Sequence, residues 1–315
     1  MDVVDRVAFQ IFGLSIYWYG ILIAIGVLLA IILSVVMAKR RGYTSEHVYD
    51  MTFFIIPLGV IFARLYYVAF EWDTYAHNLL SIFAIRDGGM AIYGAVIGGV
   101  IGMFLNSRRK NGIKFADQLD IVAPGLILAQ AIGRWGNFFN QEAYGSMVAP
   151  EGWGFPLAVY IERLGEWRLA TFFYEFVWNI IVFIILMIYS KKRRKSGSVF
   201  LMYLCAYGFG RMFIEGLRDD SLWLVDGVIR VSQLLSLILF IVAGIALIIM
   251  HKKGAAQPDG IAQAAEGAGE KAEAEQSHDN KDEEHDGQPL SGYKGGQDES
   301  KQANGDAATD ENKES

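Results

Sequence analysis

The sequence predicts an all-α polytopic membrane protein with seven transmembrane helices, an outside N-terminus, a small extracytoplasmic head and a disordered C-terminal tail in the cytoplasm. Three observations predict it. Hydrophobic residues make up 53% of the 315, and mean hydropathy is +0.28 despite a very polar end, which is too apolar for an ordinary soluble domain. Windows of roughly 17–25 apolar residues, the length needed to cross hydrocarbon, recur seven times: 16–37, 48–70, 88–105, 115–133, 172–190, 199–217 and 230–250. Finally, lysine and arginine sort by loop.

The first window is retained as a helix. Asp2 and Asp5 precede it, Lys39-Arg40-Arg41 follow it and no small-residue cleavage site is evident, unlike a cleaved signal peptide. Lys39, Arg40 and Arg41, then Arg108, Arg109, Lys110 and Lys114, then Lys191 to Lys195, then Lys252 and Lys253 all fall in alternate loops. The other loops hold only scattered arginines such as Arg86, Arg163, Arg168 and Arg230. By the positive-inside rule the basic loops are cytoplasmic.

In the third window Gly94, Gly98 and Gly102 recur every four residues. This small-xxx-small spacing lets helix backbones approach closely, and it fits packing better than phosphate binding. The longest outer connection, residues 134–171, mixes Trp135, Tyr144, Trp153, Tyr160 and Trp167 with glycine and proline. Indole and phenol rings prefer the membrane interface, so this stretch is read as the head.

Residues 1–253 form the membrane domain, and composition changes after Lys253. Residues 254–315 hold 16 acids against five lysines, a charge of −11, which leaves the remainder of a −6 chain at +5. Such a segment has too little apolar surface to offset its ordering entropy and is expected to be disordered. The single cysteine, Cys205, lies in an apolar run without a neighbouring base, so it is read as a buried structural thiol and not a nucleophile. The five histidines, His47, His77, His251, His278 and His285, form no ligand cluster. No metal, cofactor or nucleic acid is expected.

Ionisable side chains inside a span cost a few kcal/mol or more unless they face a partner or a cavity, so each is a site candidate. Arg134, Asn137, Asn140 and Glu142 lie at and beyond the outer end of the fourth window. Arg211 and Glu215 are four residues apart in the sixth, with Tyr207 before them and Arg218 after, on roughly one helical face. Arg64 lies late in the second window, Tyr19-Gly20 open the first and Tyr93 lies early in the third. At about 1.5 Å per residue, Arg64 and Glu215 are each roughly 24 Å from the cytoplasmic start of their spans, Arg211 roughly 18 Å, and Tyr93 about 8 Å below the outer surface. All fall in the outer half of the bilayer. The plainer alternatives are an intrahelical Arg211–Glu215 ion pair and an Arg64 that snorkels to the headgroups.

The implied chemistry is anionic. Guanidinium groups stay charged and offer a planar donor fork suited to phosphate. Arginines at headgroup depth with asparagine beside them suit a phospholipid phosphate whose acyl chains stay in the membrane. Glu142 and Glu215 could orient those arginines, bind headgroup hydroxyls or manage protons.

The stretch Gly133-Arg134-Trp135-Gly136-Asn137-Phe138-Phe139-Asn140-Gln141-Glu142-Ala143-Tyr144-Gly145 resembles the signature of the bacterial prolipoprotein diacylglyceryl transferase family. Tyr17-Trp18-Tyr19-Gly20, the run from Arg86 to Gly94, Tyr174-Glu175 and the run from Tyr207 to Arg218 are similar to that family as well. The resemblance spans residue 17 to about 250 and omits the tail. It implies a seven-span enzyme of the bacterial cytoplasmic membrane, surrounded by membrane lipids, with its site toward the outer leaflet. Its substrates would be phosphatidylglycerol and the lipobox segment of a preprolipoprotein. The diacylglyceryl group moves to the lipobox cysteine thiol, giving a thioether and glycerol phosphate. Carried over, Arg134 and Arg211 stabilise the phosphate, Asn137, Glu142 and Glu215 bind or orient the headgroup, Tyr19 touches substrate and Gly145 closes the signature turn.

Three departures stand out. Tyr93 occupies a position where familiar members have histidine, and an ordinary tyrosine is a poor base at neutral pH. Ala95 replaces a glycine, and Leu169-Ala170-Thr171-Phe172-Phe173 replaces the usual His-Pro-Thr/Ser-Gln lead to Tyr174-Glu175. The competing function class is a transporter or flippase of an anionic lipid or metabolite, which would also place arginines in a membrane cavity.

Overall fold

A computed structural model describes residues 5–85, 88–110, 112–149, 154–192, 195–219, 223–225 and 229–252. The chain divides into two units, 1–258 and 259–315. The second contains most of the acidic tail, which lies outside the described residues, so the expected disorder is not addressed by the structure.

Among the described residues, seven helices of 16 or more residues lie over the seven predicted windows: α1 Trp18–Arg40, α2 Ser45–Phe70, α4 Ile92–Ser107, α5 Phe115–Asn140, α6 Thr171–Tyr189, α7 Ser198–Leu217 and α8 Val231–Lys252. Between α2 and α4 come a single helical turn, α3 Trp72–Tyr75, and a 3-10 helix, Leu79–Phe83. By length and composition α1, α2, α5, α6 and α8 suffice to cross a membrane, while α4 is apolar but shorter. Leu28, Ile188 and Val242 are exposed on the outside of the bundle, as suits a multi-pass protein whose solvent there is hydrocarbon.

Among the described residues, three short antiparallel strand pairs supplement the helices. β1 Val7–Ile11 pairs antiparallel with β2 Leu14–Tyr17, β3 Ala158–Ile161 with β4 Glu166–Leu169, and β5 Trp223–Val225 with β6 Ile229–Arg230. The β1–β2 turn has positive φ at both Phe12 (49°) and Gly13 (78°), the backbone of a two-residue hairpin loop whose twist matches its strands.

The glycine stripe of α4 packs as its spacing predicts. A side chain at Gly94, Gly98 or Gly102 would strike the backbone of α2 at Phe62, Leu58 or Phe54, so the two helices can touch only while those positions carry no Cβ. The end of the bundle opposite Arg134 is fastened by charge. Arg41 reaches Asp117 at 2.6 Å and Asp120 at 2.5 Å, both carboxylates being fully buried. Tyr43 and Ser196 hydroxyls donate to Asp117 at 2.9 and 2.7 Å. Asp120 also accepts the Gly197 and Phe200 N–H groups at 2.8 Å each, which lack partners within the first turn of α7. One patch of α5 thus ties the α1–α2 turn to the start of α7.

α5 extends seven residues beyond its predicted end at 133. Arg134 to Asn140 are therefore helical, where the sequence reading begins the head. Polar side chains there satisfy one another and do not interrupt the backbone ladder.

Candidate anion site at the ends of helices α5, α6 and α7

Helical spacing places Arg134 and Asn137 one turn apart, and Arg134 Nη1 donates to Asn137 Oδ1 at 3.2 Å. The helix stops at Gln141, which adopts the left-handed conformation (φ 50°), as Ala143 does (φ 55°). These two residues reverse the chain over the last turn of α5, with the Glu142 N–H donating to the Asn137 carbonyl at 3.0 Å. The Glu142 carboxylate then accepts from Asn137 Nδ2 at 2.9 Å and Asn140 Nδ2 at 3.2 Å. Sequence reasoning grouped these four residues, and the structure brings them together.

Across the interface, Glu175 in the second turn of α6 is 2% exposed. Its Oε2 accepts a 2.6 Å hydrogen bond from Arg211 Nη1, and its Oε1 lies 3.0 Å from Arg134 Nη2. The second contact is close in distance but lacks hydrogen-bond alignment. Arg211 Nη2 lies 2.6 Å from Glu215 Oε2, one turn along α7, and Arg230 donates to the Glu215 backbone carbonyl. The result is a continuous chain from Glu142 through Asn137, Arg134, Glu175 and Arg211 to Glu215. The expected intrahelical Arg211–Glu215 pair exists, but as one link in this chain.

Glu175 is the residue that sequence reasoning passed over. It lies inside an apolar window and meets the same cost criterion as Arg211, but the atypical 169–173 lead-in directs attention away from it. A buried carboxylate facing two guanidiniums is the compensation that buried charge requires.

Gly145 and Arg218 close the structure over this site. The two residues form a β-bridge, and the Gly145 N–H donates to the Leu169 carbonyl at 2.8 Å. A Cβ at Gly145 would meet Leu217 O, the Leu169 side chain and Thr171 Cγ2, so glycine is required by close approach. Arg168 secures the same corner: it pairs with Glu166 at 2.6 Å and with Asp219. Burial opposes its charged form, yet the hydrogen bonds and charges of Glu166 and Asp219 outweigh it and raise the Arg168 pKa.

The remaining candidates are placed elsewhere. The Tyr19 ring lies on Gly136 of α5, where any Cβ would collide with it. With Gly20, Ile23, Met90, Asn140, Glu142 and Arg163 it lines an open groove of about 900 Å³. Tyr93, 48% exposed, has its ring 6.3 Å from Tyr66 and is not brought into contact with the arginines. Arg64 is buried and reaches neither the lipid surface nor the cluster. Its guanidinium donates to the carbonyls of Ser81, Ile82, Ala84, Gly88 and Gly89 at 2.7–3.4 Å, so its donors are taken by the backbone of the α2–α4 connection. A second groove, about 450 Å³ and almost wholly apolar, runs between α6 and α7 past Trp178, Phe209 and Gly210.

This arrangement can hold an anion that presents two oxygens, one to each arginine, beside an apolar groove. A family profile for prolipoprotein diacylglyceryl transferase matches residues 6–250. The chain is similar to the phosphatidylglycerol–prolipoprotein diacylglyceryl transferases of Enterococcus faecalis (46% identity, 79% of this chain and 91% of the relative), Finegoldia magna (45%, 79% and 96%) and Clostridium novyi (48%, 78% and 95%).

Proposed function

Because the chain belongs to the prolipoprotein diacylglyceryl transferase family, we propose that it transfers the diacylglyceryl group of phosphatidylglycerol to the lipobox cysteine thiol of a preprolipoprotein. The observation that carries the site assignment is the bridging of Arg134 and Arg211 by a single carboxylate. Two guanidiniums held at the span of one anion are pre-organised for a phosphodiester.

The reaction is a displacement at the glycerol carbon that bears the phosphate. The cysteine thiol gives up its proton, which leaves with the glycerol phosphate product, its sulfur forms the C–S bond, and the C–O bond to phosphate breaks with its electron pair going to the phosphate oxygen. Arg134 and Arg211 stabilise that developing charge, and glycerol phosphate departs. Glu215 orients Arg211. Asn137 and Asn140 hold Glu142 toward the groove beside Tyr19, where it accepts hydrogen bonds from the headgroup glycerol hydroxyls. Tyr93 borders the path of the incoming thiol, Arg64 positions the 81–89 connection, and Gly145 with Arg218 closes the head against α7. The apolar groove between α6 and α7 suits an acyl chain.

On this reading all seven long helices span the bacterial cytoplasmic membrane, with the N-terminus outside and the arginine site in the outer leaflet. The supporting fact is the sorting of basic residues toward the Arg41 end. The test incubates purified protein in phosphatidylglycerol vesicles with a lipobox peptide and seeks a diacylglyceryl thioether by mass spectrometry. Absence of any mass increase, where a related enzyme gives one, sinks the reading. Lipid movement without adduct would favour a transporter.

A further inference from the structure

The guanidinium donors that a phosphate would use are already committed. Arg134 donates Nη1 to Asn137 and holds Nη2 3.0 Å from Glu175; Arg211 donates Nη1 to Glu175 and holds Nη2 2.6 Å from Glu215. Of these partners only Glu175 is shared by both arginines. Its two oxygens are separated much like two non-ester oxygens of a phosphodiester, so it occupies the position between the guanidiniums that a bridging phosphate needs.

Building on the transferase reading, we infer that Glu175 and the lipid phosphate compete for the same arginine pair, so that lipid binding displaces the Glu175 carboxylate and product release restores it. Geometry supports an exchange over simple crowding. The Arg134–Glu175 contact is short but unaligned, so it is the weaker arm, while the Arg211 arm is a formed hydrogen bond. The carboxylate can therefore release Arg134 first, with Arg211 still beside the Glu215 carboxylate, whose Oε2 lies 2.6 Å from Nη2 but likewise lacks hydrogen-bond alignment. Glu175 is thus a positioning residue: it keeps two like charges together at the span of one anion and opposes tight retention of the phosphate product. Without it the arginines would repel one another, and a dianionic glycerol phosphate would be released slowly because nothing competes for its partners.

The experiment compares wild type with Glu175→Gln, which keeps shape and removes charge. Binding of glycerol phosphate to detergent-solubilised protein is measured by calorimetry, and KM and kcat for phosphatidylglycerol are measured in vesicles. Removing a competing charged partner should tighten glycerol phosphate binding by about tenfold or more, with KM and kcat both falling. A purely structural role would leave that affinity unchanged or weaken it, and either result in a folded variant overturns the inference. If Glu175→Gln does not accumulate, Glu175→Asp, whose shorter arm reaches one arginine at a time, should tighten binding to a lesser degree; an unchanged affinity there overturns it equally. A wild type that makes no thioether would remove the transferase reading, whereas the binding comparison would still decide the competition.

Discussion

Glu175 on α6 accepts a 2.6 Å hydrogen bond from Arg211 on α7, and this contact joins two helices that are also linked one turn away by Trp178 Nε1 donating to the Ala206 carbonyl at 3.0 Å. Replacing Arg211 should therefore damage both the phosphate clamp and its scaffold. Arg211→Ala is expected to reduce thioether formation by at least about a hundredfold, the scale of removing one donor that stabilises transition-state charge. Arg211→Lys should recover little, since an ammonium is a point charge that cannot reproduce a fork shared between Glu175 and Glu215. Mass-spectrometric rates for variants that retain wild-type helical circular dichroism check this. Near-normal turnover in Arg211→Ala would remove the clamp.

Tyr93 offers a different discrimination. Loss of a general base costs roughly 10²–10⁴ in rate, whereas loss of a hydroxyl that merely borders the thiol path costs far less. Because Tyr93 packs on Tyr66 and is half exposed, Tyr93→Phe should lower kcat by less than about tenfold and leave the shape of the pH–rate profile unchanged. A collapse in rate together with a shifted profile would make the phenol the proton acceptor.

The helices were legible because hydrocarbon imposes length and composition on any span, and because Gly94, Gly98 and Gly102 record a close crossing in plain spacing. Arg134, Asn137, Asn140 and Glu142 were legible as a group because a single reversal, through left-handed Gln141 and Ala143, folds neighbours in sequence onto one another. Glu175 was not, since its partners come from α5 and α7 and no local spacing encodes a contact 36 residues long in sequence. The partners of Arg64 were hidden for a related reason: a charge at headgroup depth looks the same in sequence whether it meets lipid, ligand or, as here, backbone carbonyls. The β1–β2 hairpin, too short for a periodic signal, escaped notice behind the first apolar window.

Asp120 tests the energetics at the opposite end of the bundle. Its carboxylate serves Arg41 and the first turn of α7 at once, so Asp120→Ala removes one of the two carboxylates on Arg41 and leaves two backbone N–H groups without their acceptor. Breaking a buried pair by deleting one partner costs about 3–5 kcal/mol, and the retained Asp117–Arg41 contact places the expected loss toward the lower figure. Thermal unfolding in detergent should show a clearly lower Tm for Asp120→Ala, and adding Arg41→Met should lower it further, because Asp117 then keeps a buried charge without its guanidinium. An unchanged Tm in the single variant would mean that solvent reaches this network freely.

Arg64 provides the sharpest separation of a structural from a substrate-binding arginine. Its guanidinium holds the carbonyls of Ser81, Ile82, Ala84, Gly88 and Gly89, and a hydrogen bond from a charged donor contributes about 1.5–3 kcal/mol. Arg64→Met keeps the stem but abandons all five, so the 78–89 connection should become the preferred site of limited proteolysis. Arg64→Lys, with three donors in place of five, should protect it partly. Because the connection borders the Tyr19 groove through Ile85 and Met90, the groove wall should loosen and KM for the peptide should rise, while glycerol phosphate affinity, set by Arg134 and Arg211, should stay at its wild-type value. A fall in that affinity without new proteolysis would instead place Arg64 on the phosphate.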